Sequence, residues 1–326
     1  RKESSAASDV YKRQLLLGAF AVQALAAAGA AHAFEVGVIA FQMSSETHAR
    51  AANAASEAAR AKGWTVTQLN AEGSLPKLAE QLDTLVNKKV DAIVVAMGKP
   101  VETDAQLQAA KEKGIPVVGV MSGASPHMLF DVEVNEYATG AQSVLYLLGK
   151  MGYQGNILSA RFDGNSGTRI RGKMLDAVLS ENTAVKDLAK FSMARTQSWR
   201  DDVRNGMQAL FLRHQGQFKG VWASFDGQAY VIDDLLQAQG LKKGDITLVS
   251  VDGGPETYRR IADPNSLITA TMMIPFEQLG VTAIDAIDRI VVKKEPKDKI
   301  ASGPYLFMDS VLVDAGNVQK FLAPAK

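Results

Sequence analysis

Residues 167–174 read GTRIRGKM, one position short of the phosphate-loop pattern G-x-x-x-x-G-K-[ST]. A phosphate loop needs a hydroxyl at its last position to hold Mg²⁺, and the thioether of Met174 is a poor ligand for that hard ion. Its lysine must also follow a glycine-rich cradle. Here Ile170, Met174, Ala177 and Val178 recur at helical spacing, which predicts Gly172 and Lys173 inside a helix that starts near Thr168. Arg169 then falls in the first turn, beside the carboxyl edge of a sheet. Its rigid fork of N–H donors suits vicinal hydroxyls or a carboxylate. The competing reading leaves both arginines in solvent. The expectation is that Arg169 reaches a ligand and Arg171 is a solvated helix residue.

Other chemistry is sparse. The chain has no cysteine, so it holds no disulfide, thiolate metal site or lipid-bearing cysteine. His32, His48, His127 and His214 show no metal-ligand spacing and read as surface or packing residues. The hydrolase and zinc-protease patterns G-x-S-x-G and H-E-x-x-H do not occur, nor does a kinase-type set. A dinucleotide site needs glycines after its first strand, but that loop reads QMSSETH, and Glu46 in it would repel a pyrophosphate. No catalysis, cofactor or metal is expected.

The elements that would position Arg169 follow from composition and pattern. Of 326 residues, 47 % are apolar and 22 % charged, as in a soluble globular protein of about two domains. Residues 1–10 look like a fusion or assembly scar. Beyond them, Lys12 and Arg13 precede the apolar run 15–31, and Ala31-His32-Ala33 has the small-x-small form of a signal-peptidase site. Cleavage after Ala33 is expected; the alternative is a membrane anchor, for which seventeen alanine-rich residues are marginal. The leader carries four basic and two acidic groups, leaving 32 basic and 33 acidic side chains, too balanced a surface for nucleic-acid binding. A freely soluble protein of a bacterial periplasm is implied.

From residue 34, apolar runs alternate with helical patterns. Strands are predicted at 35–41 (EVGVIAF), 65–69, 92–97 (AIVVAM), 116–121 (PVVGVM) and 129–132, with helices near 45–62, 75–87 and 103–113. The pattern restarts with helix 136–151, strand 156–160, helix 168–181, strand 185–192 and helix 199–214. Strand 220–223, helix 227–239, strand 246–251, helix 255–263, strand 267–273, helix 276–292 and a final strand 305–313 complete it. Strands apolar throughout are buried on both faces. The fold class is α/β, two successive doubly wound parallel sheets, whose ligands sit beyond the carboxyl ends of the strands.

At this point the chain resembles the periplasmic sugar-binding proteins of ABC importers, ribose/galactose-binding type. The pieces that carry the resemblance are EVGVIAF, VDAIVVAM, KEKGIPVVGV, GNSGTRIRGKMLDAV, VWASFDGQA, VSVDGGPE and ATMMIPFEQLG, in order over residues 34–320. The resemblance implies two lobes joined by three crossings, near 133–135, 274–275 and 308–309. The first lobe would hold 34–134 and 275–308, the second 135–274 and 309–326. The lobes close over a ligand and present it to an inner-membrane permease; a monomer is implied.

The resemblance also assigns residues. Arg169 matches the arginine that clamps sugar hydroxyls, and Asp163 and Asn165 lie where galactose-type members place polar contacts. Trp199 matches the aromatic laid against a sugar face; the alternative is a core residue of its helix. Asp252 matches a hydroxyl acceptor, with turn capping as the alternative, and Asp226 is a ligand contact or a cap of helix 227–239. Ser44, Glu46 and Thr47 stand where ribose-type members carry an asparagine and two aromatics. Met121-Ser122 replaces an aspartate–arginine pair, Phe225 an asparagine and Ile274 a glutamine, so Met121, Phe225 and Ile274 are expected to line a less polar cavity. A buried hydroxyl without a partner costs about 1–3 kcal/mol. The expected ligand therefore has fewer hydroxyls than a hexose, or an apolar portion: a short polyol, a deoxy sugar or a related metabolite. A ligand-sensing receptor of the same fold, acting in chemotaxis or two-component signalling, is the alternative function. An exported enzyme lacks a nucleophile–base pair or metal set, and a repressor of this fold would carry DNA-reading helices where the export signal stands.

Overall fold

A computed structural model describes residues 33–194 and 197–322. The leader and the expected export signal up to His32 lie outside the described residues. The chain opens with β1 (Glu35–Ala40), α1 (Glu46–Ala61), β2 (Thr65–Asn70), α2 (Leu75–Lys88), β3 (Ala92–Ala96), α3 (Asp104–Glu112), β4 (Val117–Val120) and β5 (Phe130–Val134). These strands, joined late in the sequence by β11 (Tyr305–Met308), form one all-parallel sheet of order β11-β5-β4-β3-β1-β2.

The period of two along β3 shows why its residues are apolar throughout. Ala92, Val94 and Ala96 pack into a core shared with α1, whereas Ile93 and Val95 pack into the core under α2 and α3. The inner strand β3 thus buries both faces, whereas the edge strands β2 and β11 do not.

The second lobe repeats the plan with α4 (Glu136–Lys150), β6 (Gly155–Arg161), α5 (Ser166–Glu181), β7 (Val185–Ser192), α6 (Trp199–Arg213), β8 (Gly220–Ala223), α7 (Asp226–Ala238), β9 (Thr247–Asp252), α8 (Pro255–Ala262) and β10 (Ile268–Met273). Its sheet runs β12-β10-β9-β8-β6-β7; β12 (Val311–Asp314) lies antiparallel to β10 and the other pairs are parallel.

The chain passes between sheets three times: from β5 into α4, from β10 through Ile274-Pro275 into α9 (Phe276–Ile287), and from β11 to β12. The single final strand expected over 305–313 is two strands in two sheets, because Asp309 and Ser310 break the ladder between them. Helix α9 returns to the first lobe and lies on α1, where Gly280 permits the approach: a Cβ there would strike the Ala51 carbonyl. The expected helix 276–292 ends at Ile287, and Asp288–Val292 forms a wider, π-type turn.

Candidate ligand-binding site

A cavity of about 780 Å³ lies at the carboxyl ends of both sheets, lined by residues of each lobe. This is the position that doubly wound sheets reserve for ligands.

Its floor is set by α5. Asn165 caps that helix, its Oδ1 accepting from the Gly167 N–H at 2.8 Å. The buried stripe of α5 is Gly167, Thr168, Arg171, Gly172 and Leu175. Arg171 therefore points inward. Its Nε and Nη2 donate to the two carboxylate oxygens of Glu136 at 2.6 and 2.7 Å, and its Nη1 donates to Ser224 O and to Asp252 Oδ1 at 2.9 and 3.1 Å. Glu136 can reach because α4 and α5 touch at Gly140, where a Cβ would sit 2.9 Å from the Arg171 Cα. Burial alone would lower the Arg171 pKa, but Glu136 and Asp252 more than offset it and hold the guanidinium charged. Burial pushes the Asp252 carboxyl up to about 7, although Arg171 pulls the other way.

This reverses the expectation for the two arginines. Arg169 lies outside the cavity, its Nη1 donating to the Asp163 carbonyl at 2.7 Å, exposed to solvent. Two residues along an α-helix are about 200° apart, so both arginines cannot face the floor. Asp163 is likewise exposed and outside the lining.

Asp226 is also corrected in role. Its Oδ1 accepts from Ser250 Oγ at 2.5 Å and Thr271 Oγ1 at 2.8 Å, and its Oδ2 from Gly253 N at 2.8 Å and Thr257 Oγ1 at 2.5 Å. Both oxygens are spent inside the protein, and the group holds the Asp252-Gly253 turn under the cavity. Burial raises its pKa, and these four donors oppose the rise.

One wall is aromatic. Trp199, the first residue of α6, meets Phe225 edge-on at 5.4 Å, and Phe225 meets Phe162 at 6.4 Å. Gly227 leaves room for both; a Cβ there would come within 2.7 Å of the indole and 2.9 Å of the Phe225 ring. The Arg200 guanidinium covers the indole at 4.5 Å.

The first lobe supplies Ser44, Glu46, Thr47 and Met121 to the lining. Gln42 Nε2 donates to Ser44 Oγ at 3.1 Å, and Ser45 Oγ lies 3.3 Å from Thr47 Oγ1. Ile274 does not line the cavity: it is fully buried in the first-lobe core, and its N–H donates to the Asp252 carbonyl at 2.8 Å. The sequence reading missed Arg171, Glu136, Arg50, His48 and Glu133, all in the lining. Burial lowers the His48 pKa to about 4, and its Nδ1 is buried without a partner. Burial, the adjacent Asp131 carboxylate and the Glu136 charge push Glu133 up to about 9. A signal for Glu136 was available: it opens the helix directly after the first crossing.

Among the described residues no helix is long and apolar enough to cross a membrane. The chain is 30 % identical over 277 residues to the xylitol-binding protein of Mycolicibacterium smegmatis, covering 81 % of this chain and 76 % of that one. It is 21 % identical over 274 residues to the D-apiose import binding protein of Actinobacillus succinogenes, covering 82 % and 84 %. The fold matches an ABC transporter solute-binding protein of Agrobacterium vitis with bound allitol, with a TM-score of 0.78 and 24 % identity over 89 % of this chain and 98 % of that one. A glycerol-bound solute-binding protein of Mycobacterium smegmatis gives a TM-score of 0.75 at 22 % identity, over 90 % and 98 %. The periplasmic binding protein domain family matches residues 36–295, and the chain belongs to that family.

Proposed function

We propose that this protein captures an uncharged small molecule bearing hydroxyls, a short polyol, a deoxy sugar or a related metabolite, between its lobes in the periplasm. It hands that molecule to an ABC permease in the inner membrane, without catalysis. The observation that carries this reading is the Arg171–Glu136–Asp252 floor facing the Trp199–Phe225 wall. Such a floor offers fixed acceptors and a donor to hydroxyls, and the wall offers an apolar face to C–H groups. Arg171 is already neutralised by two carboxylates, which disfavours acidic ligands. The xylitol bound by the relative above is a ligand of this kind. Lobe closure follows from the ligand's preference for the closed state.

The test is a thermal-shift and calorimetric screen of xylitol, allitol, glycerol, apiose, glucose and gluconate. A ligand at about one hundred times its dissociation constant adds roughly 2.7 kcal/mol. Stabilisation by polyols or neutral sugars supports the reading. Stabilisation by gluconate alone overturns it.

A further inference from the structure

Arg50 on α1 makes contacts on both sides of the cavity. Its Nε and Nη2 donate to the Glu277 carboxylate on α9 at 2.6 and 3.0 Å, and its guanidinium lies 5.2 Å from the Phe276 ring centre. Helices α1 and α9 pack as one unit through Gly280, so this anchor belongs to the first lobe. Its Nη1 instead donates to the Gly253 carbonyl at 2.5 Å, and Gly253 follows β9 in the second lobe.

The acceptor sits in an unusual turn. Asp252 has φ of 134°, which side-chain-bearing residues rarely adopt, and Gly253 has φ of 73°. Three contacts hold this turn: Arg171 Nη1 to Asp252 Oδ1, the Ile274 N–H to the Asp252 carbonyl, and the Gly253 N–H to Asp226. Gly254 lets it pass beneath α1, since a Cβ there would lie 3.0 Å from Glu46 Oε1 and 3.2 Å from Arg50 Nη1. One short turn thus joins the cavity floor, the second crossing and the opposite lobe.

We propose that Arg50 is a positioning residue that latches the lobes: it reads the Asp252-Gly253 turn and so couples occupancy of the floor to closure. This rests on the binding function proposed above. A ligand held on Asp252 adds a contact to the three that hold the turn and so stabilises the form that aims the Gly253 carbonyl at Arg50. Without the ligand that form is held by the protein contacts alone, and the closed arrangement is less favoured.

The chain has no cysteine, so one spin-label pair can be placed on exposed positions of the two lobes, Glu80→Cys on α2 and Arg204→Cys on α6. Lobe separation is then measured with and without xylitol in the parent, Arg50→Met and Gly254→Ala. Methionine keeps an apolar stem over Phe276, and alanine crowds the latch from the other lobe. Each variant should lower the closed-to-open ratio about tenfold, the loss of one charge-assisted hydrogen bond. Xylitol dissociation should quicken by a similar factor while association changes little; Arg50→Met also removes the Glu277 ion pair, so it is Gly254→Ala that should leave the melting temperature of the ligand-free protein unchanged. Distance distributions identical to the parent in both conditions overturn the latch. So does a lowered melting temperature with an unaltered closed fraction, which marks Arg50 as structural. If xylitol leaves the parent's distribution unmoved and no polyol binds, the binding reading fails, and the ligand-free distributions still decide the latch.

Discussion

Arg171 and Glu136 meet in a two-point contact, Nε to Oε2 at 2.6 Å and Nη2 to Oε1 at 2.7 Å, with both side chains 4 % exposed. Glu136 stands two residues past β5, where the chain first crosses between sheets, and Arg171 lies on the floor of the cavity. The pair therefore ties a crossing to the site. Breaking a buried pair by removing one partner strands the other charge. Arg171→Met should destabilise the fold by about 3–5 kcal/mol, and the double variant with Glu136→Gln by clearly less. Urea unfolding measures both. With Glu136→Gln also measured alone, a double loss equal to the sum of the two single losses would show that the two charges are not coupled.

The correction at α5 gives a second prediction. Arg169→Ala removes an exposed side chain whose partner is a backbone carbonyl six residues away. Ligand affinity and stability should change by less than about 0.5 kcal/mol, as at surface sites. Titration calorimetry on this variant beside an Arg171 variant separates the two positions.

Why the sequence placed Arg169 rather than Arg171 in the cavity lining has a physical answer. Ile170, Met174 and Val178 form an apolar stripe that is half-buried, and Ala177 is exposed. The deeply buried stripe carries Gly167, Thr168, Gly172 and the arginine itself, with Leu175 as its one large apolar member. Small residues mark close helix contact rather than hydrophobicity, so a search for apolar periodicity passes over them. Glu136 gave only a positional signal, the start of the helix after the first crossing, because its partner lies on a different helix, 35 residues on. The fold was legible because AIVVA and VVGV are apolar at every position and leave no choice but burial on both faces. That Trp199 lines the cavity was legible from its polar neighbours. Ile274 was not, because the turn that carries its N–H to Asp252 points its side chain into the first lobe.

The aromatic wall predicts an optical signal. Of three tryptophans, Trp199 lines the cavity, Trp222 is fully buried with its Nε1 donating to Ser143, and Trp64 packs on Phe34. Ligand binding should change the emission of Trp199, and Trp199→Phe should abolish that change. Trp199→Ala should weaken binding by about 0.5–1.5 kcal/mol beyond the lost area, the usual worth of an aromatic face. A fluorescence response that survives in Trp199→Phe would place the ligand elsewhere.

Asp252 predicts a pH dependence of binding. Burial brings its pKa to about 7, and Arg171 engages one of its oxygens. A hydroxyl that donates to Asp252 favours the ionised form. As pH falls through 7 the group takes up a proton, and the ligand must compete with it. Affinity should therefore be flat above about pH 8 and fall by up to roughly tenfold per pH unit below 7. Asp252→Asn should bind more weakly and show a flatter profile. Calorimetry from pH 5.5 to 8.5 measures both, and a wild-type affinity constant over that range would remove Asp252 from contact with the ligand.

His48 predicts the acid limb of stability. Its pKa is lowered from 6.5 to about 4 by burial among Phe41 and the cavity wall. The unfolded chain therefore binds the proton first as pH falls, so stability is fully present above about 6.5 and is lost between there and about 4. The depression corresponds to about 3 kcal/mol at most. His48→Gln removes this titration and leaves a polar side chain in its place. Urea midpoints at pH 7 and pH 4.5 should fall farther apart in the wild type than in the variant. Equal separations would show that the His48 imidazole takes up its proton as readily in the folded protein as in the unfolded chain.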